Sequence, residues 1–287
     1  MLRGQGNKQY FVIFLKKQYN NYMSELASVL YKKGLKYIDE GKYEKAIVYL
    51  LNAVKEDSSF FDAYLDLAYC YAMVGDFEEA EYHSNRALEI RENDVDALLI
   101  LSFVYHKFGF FDGEIEILNR VLNIGVDRGT EAEIFLNLGN AYYEKNDSKR
   151  ALAYYKKVLE IEPDNVEAYV NLGNAYFSIE EFKKSVESYL LALQYDPEDS
   201  NIYSNLGVAY IEMGEKEKAF KYLKASIRLD PYNESAHYNL GVLYTMEGNQ
   251  DRAVEQYHRL LELKSEMAQS LLKIIELKNR FDADHLF

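Results

Sequence analysis

The chain has 287 residues, of which 48% are hydrophobic and 15% aromatic, and its formal net charge at pH 7 is -14. This apolar content is enough to bury a core, so we expect a folded, soluble protein. The acidic surface opposes binding to the phosphates of nucleic acid and to anionic lipid, and we predict neither partner.

The first 26 residues contain one short apolar run, Tyr10–Leu15, which Lys16 ends. A secretory signal has about 7 to 15 apolar residues, and a membrane-spanning helix has about 20, so this run fits neither. We predict that residues 1–26 form a leader that is partly disordered, or untranslated if Met23 is the true start. The only cysteine, Cys70, is expected to be a small core residue in a reducing compartment, and we predict a cytoplasmic location.

A tyrosine then recurs at a spacing of 34 residues, broken once by a spacing of 37. A fixed period of this length is typical of repeat proteins. The tyrosines are Tyr37, Tyr71, Tyr105, Tyr142, Tyr176, Tyr210 and Tyr244. The sequence therefore predicts seven repeats, which we number from 1 and which begin at residues 27, 61, 95, 132, 166, 200 and 234. Repeats 1–3 span 27–128 and are divergent, 129–131 is an insertion, repeats 4–7 span 132–267, and 268–287 is a terminal helix and tail.

Repeat 5 shows the pattern in full, with Tyr169, Leu172, Gly173 and Tyr176 on a first helix and Pro197 after the second. These residues resemble the signature of the tetratricopeptide repeat. The resemblance covers residues 27–267 and is closest in repeats 4–6. It implies an all-α, right-handed solenoid superhelix of antiparallel helix pairs. It also implies a non-catalytic protein that binds other proteins and needs no cofactor or metal.

Small residues are expected wherever the two helices of a repeat cross. Gly139, Gly173, Gly207 and Gly241 occupy that position in repeats 4–7, and the turn between helices falls at Gly41, Gly75, Gly109, Asn146, Gly214 and Gly248. In repeat 3 the crossing alanine of the second helix is replaced by Glu114. Either this helix pair is locally wider, or the joint at 123–131 is a hinge between two halves.

The C-terminal segment Ala268–Phe281 has Leu271, Ile274, Ile275 and Leu277 on one helical face. Terminal repeats of a solenoid need a cap with a polar outer side, and we predict that this helix is the cap. Its apolar stripe leaves self-association open as an alternative.

The first helices also have a face that is not needed for contact between repeats. Position 6, counted from the first residue of each repeat, is asparagine in repeats 4–7, and two more asparagines stand at position 9. A carboxamide can hold both N–H and C=O groups, so we predict that this ladder binds the backbone of an extended peptide, with apolar side chains beside it completing the site. It resembles the asparagine ladder in the tetratricopeptide domain of O-linked N-acetylglucosamine transferase. The candidates are Asn137, Asn140, Asn171, Asn174, Asn205, Asn239, Leu136, Tyr143, Val170, Phe177 and Ile211.

Acidic residues at position 2 form a predicted edge of this groove: Asp62, Asp96, Glu133 and Glu167. They favour a ligand with lysine or arginine, although acids near a helix N-terminus are also favoured by the helix dipole. The cationic half of the carboxylate clamp used by co-chaperone repeats is missing, which argues against binding of chaperone tails.

Three classes of function follow. The leading one is a scaffold or adaptor that binds a peptide segment of a partner. The alternatives are a structural, self-associating component that uses its apolar ends, and a regulatory subunit of an enzyme. No catalytic motif is present, and His237 occupies an aromatic packing position where a core role is expected.

Overall fold

The computed structural model describes residues 25–284, with side chains as far as Phe281. The apolar run Tyr10–Leu15, the Met23 start and most of the predicted leader lie outside the described residues, as does the end of the tail. Predictions about those segments therefore stay predictions.

The described residues form fifteen helices and no strand, which confirms the all-α class. The described part of α1 spans 25–39. The others are α2 (Tyr43–Glu56), α3 (Phe61–Val74), α4 (Phe77–Ile90), α5 (Val95–Lys107), α6 (Phe111–Ile124), α7 (Arg128–Glu144), α8 (Ser148–Ile161), α9 (Val166–Ser178), α10 (Phe182–Tyr195), α11 (Ser200–Glu212), α12 (Lys216–Leu229), α13 (Glu234–Met246), α14 (Gln250–Glu262) and α15 (Met267–Asp284).

Each of the seven repeats contributes one helix pair, α1 with α2 through α13 with α14. The expected turn residues all have positive φ, at Gly41, Gly75, Gly109, Asn146, Gly214 and Gly248. The left-handed conformation ends the first helix of each pair and turns the chain into the second. Repeat 5 makes the same turn with Glu180, at φ 61°, which the sequence pattern did not indicate.

The crossing glycines have the predicted steric role. A Cβ atom at Gly139, Gly173 or Gly207 would lie closer than 3.0 Å to the side chain of Tyr155, Tyr189 or Leu223, respectively, on the second helix of the same repeat. The second helices contribute alanines to the same crossing, among them Ala151 and Ala219, which are fully buried. The close approach of the helices therefore depends on side chains being absent at these points.

The chain forms two compact units that divide between Asp127 and Arg128. The N-terminal unit has a core centred on residues such as Leu50 and Leu67, and Cys70 is a free, fully buried thiol within it. Burial raises the pKa of this thiol to about 12, which fits the expected core role. The C-terminal unit has its own core, which includes Leu206 and Leu243. The hinge at 123–131 stays a prediction.

Glu114 lies at the crossing of α5 and α6 and is only 3% exposed. Its carboxylate is 3.0 Å from Nδ1 of His106, which supplies a polar partner inside the helix pair. Burial nevertheless raises the pKa of Glu114, with His106 offsetting part of the effect.

Helix α15 packs against α13 and α14. Ala268, Leu271 and Ile275 are buried, Ile274 is half-buried, and Leu277 is 55% exposed. The expected apolar face is therefore correct for Leu271 and Ile275 and wrong for Leu277, because the buried stripe follows the spacing 268, 271, 275. Within the described residues, no helix is long and apolar enough to span a membrane.

Candidate functional site

The predicted asparagine ladder lies in the C-terminal unit, on the first helices of repeats 4–7. Each of α7, α9, α11 and α13 carries one asparagine at position 6, in the order Asn137, Asn171, Asn205 and Asn239. All four side chains are half-buried. The starts of three of these helices are fixed by side-chain caps, since Asn165, Asp199 and Asn233 each accept a hydrogen bond from a backbone N–H in the first turn.

The two asparagines at position 9 are engaged inside their own repeats. The hydroxyl of Tyr155 donates to Oδ1 of Asn140 at 2.9 Å, and the hydroxyl of Tyr189 donates to Oδ1 of Asn174 at 2.7 Å. Both tyrosines stand at position 24 and are almost fully buried, and burial raises their pKa, that of Tyr189 to about 12. Asn140 and Asn174 therefore satisfy buried hydroxyls, a role that the sequence analysis did not anticipate.

The position-6 asparagines differ in their hydrogen-bond partners. Nδ2 of Asn171 donates to Oδ1 of Asn140 at 3.0 Å and so links repeats 4 and 5, whereas Nδ2 of Asn239 donates to the backbone oxygen of Ser235 at 2.8 Å. Asn137 and Asn205 make no hydrogen bond to any other described residue. Of the four asparagines at position 6, two thus make no hydrogen bond to another described residue and two are partly engaged.

The predicted apolar neighbours line the same helices. Leu136, Tyr143, Val170, Phe177 and Ile211 are all half-buried, so each keeps part of its surface accessible. The ring of Phe177 is held edge-on against Phe182, with centroids 5.2 Å apart, and burial raises the pKa of Tyr143. The amides therefore lie among apolar side chains that can add contact area.

The predicted acidic edge is divided between the two units. Glu133 and Glu167 belong to the C-terminal unit and stand exposed in the first helices of repeats 4 and 5. Asp62 and Asp96 belong to the N-terminal unit; both are exposed, and Asp62 is 3.9 Å from the guanidinium of Arg91. The structure thus places two of the four acids on the helices that carry the ladder.

Sequence reasoning missed a set of contacts that fix consecutive repeats in this unit. The hydroxyl of Tyr169 donates to the backbone oxygen of Pro163 at 3.1 Å, and that of Tyr203 donates to the backbone oxygen of Pro197 at 3.2 Å. His237 makes the equivalent contact to Pro231 at 3.1 Å and is 5% exposed, which confirms its expected core role. The sequence contains a signal for these contacts, because the residue at position 4 follows the proline of the preceding repeat by six residues in each case.

Family models for tetratricopeptide repeats match much of the chain. A model described as TPR repeat matches residues 139–180 and 173–214, and models described as tetratricopeptide repeat match residues 37–81, 200–233 and 222–255. These matches include divergent repeats of the N-terminal unit as well as the four repeats that carry the asparagine ladder.

Two curated relatives are similar over part of their length. The human protein O-mannosyl-transferase TMTC1 is 26% identical over 143 residues, which is 50% of this chain and 16% of that protein. A probable UDP-N-acetylglucosamine–peptide N-acetylglucosaminyltransferase SEC of Arabidopsis thaliana is 34% identical over 94 residues, 33% of this chain and 9% of that protein. The chain therefore spans less than a fifth of either relative.

A solved structure matches more completely. A tetratricopeptide repeat protein from Parabacteroides merdae superposes with a TM-score of 0.71 over 88% of this chain and 99% of that chain, at 15% identity. At this identity the likeness shows the fold. Together with the family matches and the consecutive helix pairs, it establishes that the chain belongs to the tetratricopeptide repeat family, whose fold provides a scaffold for binding proteins and peptides.

Proposed function

We propose that the chain is a non-catalytic adaptor that binds an extended peptide segment of a partner along α7, α9, α11 and α13. The observation that carries this proposal is that Asn137 and Asn205 present open amides among half-buried apolar side chains. The transferase names of the two relatives describe proteins of which this chain matches less than a fifth, so they do not change the proposed class. A cytoplasmic site of action is part of the proposal, supported by the buried free thiol of Cys70.

The spacing of the ladder suits a peptide backbone. Packed helices lie about 8 to 10 Å apart, and an extended peptide advances about 3.3 Å per residue. Successive asparagines can therefore reach roughly every third peptide group. Because a carboxamide has both donors and an acceptor, this contact is indifferent to the peptide's side chains.

Hydrogen bonds alone do not supply the affinity. One such bond contributes about 0.5 to 1.5 kcal/mol net, so four give roughly 2 to 6 kcal/mol, whereas micromolar binding requires about 8 kcal/mol. Leu136, Val170 and Ile211 would supply apolar contacts for the rest. The exposed carboxylates of Glu133 and Glu167 favour a peptide with basic residues next to its bound segment.

The first experiment compares capture of partners from native lysate by the wild type and by the double variant Asn137→Ala/Asn205→Ala. These two amides have no partner among the described residues, so their loss should leave the fold intact. The matched control is Gln194→Ala/Gln269→Ala, which removes two exposed amides from α10 and α15. A partner lost only from the asparagine variant is the expected result.

The bound segment of that partner then tests the backbone contact directly. We expect N-methylation of single peptide groups to weaken binding about 2- to 12-fold at every third residue, the effect of one lost hydrogen bond. Replacing the side chains at the same residues should change binding less. Equal capture by both variants, or an N-methyl scan without this period, would contradict the ladder.

One observation favours self-association as a second candidate. Helix α15 exposes 55% of Leu277 and 58% of Phe281 at the end of the C-terminal unit. If copies of the chain associate through this helix, sedimentation should show a mass that rises with concentration for the wild type and not for Leu277→Lys. A concentration-independent monomer mass would remove this candidate.

A further inference from the structure

Large apolar side chains are exposed on the first helices of repeats 2 and 3. Tyr69 and Phe103 occupy position 9 of these repeats, and Met73 follows Tyr69 by four residues, on the same helical face. They are 38%, 44% and 51% exposed, respectively. The residues at position 9 of repeats 4–7 are all half-buried: Asn140, Asn174, Val208 and Val242. The N-terminal unit therefore has accessible aromatic surface where the C-terminal unit has amides and small side chains.

These side chains belong to one surface. The ring of Phe77 lies edge-on to those of Phe103 and Phe108, with centroids 6.2 and 6.3 Å apart, and the ring of Tyr43 lies edge-on to that of Tyr69 at 5.9 Å. Helices α3 and α5 contact each other, so the two groups are neighbours. We call this surface, with Met73, the apolar patch. Contiguous exposed apolar surface of this kind marks an interaction site.

A buried acceptor lies on the same helix as Tyr69. Asp66 stands at position 6 of repeat 2, where repeats 4–7 have the asparagines of the ladder. Its carboxylate is hydrogen-bonded to Tyr31 on α1, but the oxygen Oδ2 is buried and has no hydrogen-bond partner among the described residues. Buried polar atoms are nearly always paired. A backbone N–H of a segment bound along this face is a donor of the kind that Oδ2 lacks.

The chain itself contains a segment that can reach the patch. Residues 10–15, Tyr-Phe-Val-Ile-Phe-Leu, are followed by nine residues before α1, whose described part begins at residue 25. Nine residues span up to about 30 Å. Helices α1, α3 and α5 are the first helices of three successive repeats, so α1 and α5 lie about 16 to 20 Å apart. Six extended residues cover about 20 Å, and aromatic and β-branched residues favour that conformation.

The charges of the two parts are opposite. Residues 1–24 contain no aspartate or glutamate and four basic residues: Arg3, Lys8, Lys16 and Lys17. Residues 25–127 contain 20 carboxylates and 10 lysine or arginine side chains. Some of these acids are paired, as Asp62 is with Arg91 at 3.9 Å, and Lys107 lies over the ring of Phe103. The attraction therefore comes from the net charge of the whole unit and not from one carboxylate.

The other exposed apolar side chain of the first helices near the chain start is less suitable. Val29, at position 3 of repeat 1, is 51% exposed, whereas position 3 is buried in repeats 2–7. Lys33 and Lys36, at positions 7 and 10 of the same helix, are exposed beside it. A basic segment is repelled there, which favours the apolar patch.

We propose that the apolar patch is the binding site for this chain's own residues 10–15, which fold back over the first three repeats. The apolar side chains of the segment cover Tyr69, Met73 and Phe103, and a backbone N–H pairs with Oδ2 of Asp66. Because the segment is attached, its effective concentration is in the millimolar range, and a weak contact is enough to keep it bound. This surface lies outside the asparagine ladder, and the proposal does not rest on it.

The first test places the segment by photo-cross-linking in the whole chain. The photoreactive residue p-benzoylphenylalanine replaces Phe14, and the linked peptides are identified by mass spectrometry after irradiation of dilute protein. We expect links to peptides that contain Met73 or Phe103, within a product of monomer mass. Links to the peptide that contains Val29, or to the C-terminal unit, would contradict the proposal.

The second test opens the patch and refills it. In the variant Phe11→Asp/Phe14→Asp, the attached segment should no longer bind. We expect this variant to bind a free peptide of residues 8–19 at least about tenfold more tightly than the wild type, in which the attached segment competes. Gln9→Asp/Gln18→Asp makes the same change of charge outside residues 10–15 and should behave as the wild type.

A third substitution shows where the free peptide binds. Added to the opened variant, Phe103→Glu should weaken the peptide at least about tenfold, because it places a charge in the apolar patch. Met73→Glu is a second patch variant, and Tyr82→Glu, an exposed tyrosine on α4, is the matched control that should leave binding unchanged. Circular dichroism establishes that each variant is folded.

Several results would overturn the proposal. They are equal peptide binding by the wild type and the opened variant, equal binding of a scrambled peptide of the same composition, and no loss in either patch variant. A cross-linked product of dimer mass would assign the patch to the segment of a second copy. Absence of residues 1–22 from the native protein would remove the segment altogether. Because Asn137→Ala/Asn205→Ala should not affect any of these measurements, failure here leaves the proposed ladder untouched.

Discussion

The hydroxyl of Tyr155 donates to the side-chain oxygen of Asn140, which also accepts a hydrogen bond from Asn171 in the next repeat. One amide oxygen thus joins the second helix of repeat 4 to the first helices of repeats 4 and 5. The sequence predicts Asn140 as a peptide-binding residue, whereas in the structure its side chain is part of the contact between repeats.

Tyr155→Phe tests that role. The substitution keeps the buried ring and removes one hydrogen bond, and we expect a loss of about 1 kcal/mol in unfolding free energy. Tyr154→Phe is the control, because its hydroxyl makes no hydrogen bond to another described residue. The measurement is urea unfolding followed by circular dichroism. An equal change in both variants would mean that the Tyr155–Asn140 bond contributes nothing measurable.

The same pair shows how far the sequence alone can go. The period and the Leu-Gly spacing predict the helix pairs, the turns and the crossing glycines, because these depend on local conformation and on steric exclusion. The partners of Asn140 are 15 and 31 residues away and depend on packing. A comparison of the repeats indicates this pairing. Asparagine stands at position 9 where position 24 is tyrosine, as Asn140 with Tyr155 and Asn174 with Tyr189, whereas repeat 6 has Val208 with Leu223. Repeat 7 does not follow this pairing, because it has Val242 at position 9 although Tyr257 stands at position 24.

The turn of repeat 5 supports a second prediction. Glu180 has φ 61°, and its N–H donates to Phe177 at 2.9 Å, just as Gly214 with φ 72° donates to Ile211 at 2.9 Å in repeat 6. The left-handed conformation costs an L-residue about 1 to 2 kcal/mol, and glycine avoids this cost. Glycine also loses more conformational freedom on folding, which cancels part of that advantage. We therefore expect Glu180→Gly to stabilise the chain by about 1 kcal/mol.

Gly214→Glu is the reciprocal variant. No atom lies within 4 Å of a Cβ at Gly214, so any loss comes from the backbone and not from a clash. It should destabilise the chain by a similar amount, on the order of 1 kcal/mol, in the same urea unfolding assay. Opposite signs for the two variants are required, and the same sign for both would contradict the explanation.

Glu114 supports a prediction about pH. Burial raises the pKa of Glu114 in the folded chain above the ordinary value of 4.5, so folding favours the neutral form of this side chain over its carboxylate. The stability that goes with protonation is present below pH 4.5 and is lost as pH rises through the folded pKa. Glu114→Gln mimics the neutral form at every pH and keeps a polar group beside His106. We expect it to be more stable than the wild type at pH 7 and equal to it below pH 4.5.

Thermal unfolding across this pH range measures the difference. Glu116→Gln, an exposed substitution on the same helix, controls for the general effect of removing one negative charge. If both variants follow the same pH profile, net charge explains the effect and the buried position does not.

His83 titrates in the opposite sense, and it provides the last prediction. It is 3% exposed, its ring stacks on Tyr71 with centroids 5.3 Å apart, and neither ring nitrogen has a hydrogen-bond partner among the described residues. Burial lowers its pKa from 6.5 to about 4, and Arg86 adds to this shift. The carboxylate of Glu79 is 3.6 Å away but half exposed to solvent, so burial outweighs it.

Because the folded pKa is depressed, the unfolded chain binds a proton between pH 6.5 and about 4 that the folded chain does not. Stability is therefore lost as pH falls through this window, by roughly 1 to 3 kcal/mol in full. His83→Phe keeps a ring on Tyr71 and removes the titration, so its advantage over the wild type should grow from pH 7 to pH 4.5. His258→Gln, an exposed histidine, should not reproduce this gain. Urea unfolding at a series of pH values distinguishes them, and a pH-independent difference for His83→Phe would show that the ring nitrogens, and not proton binding, set the cost.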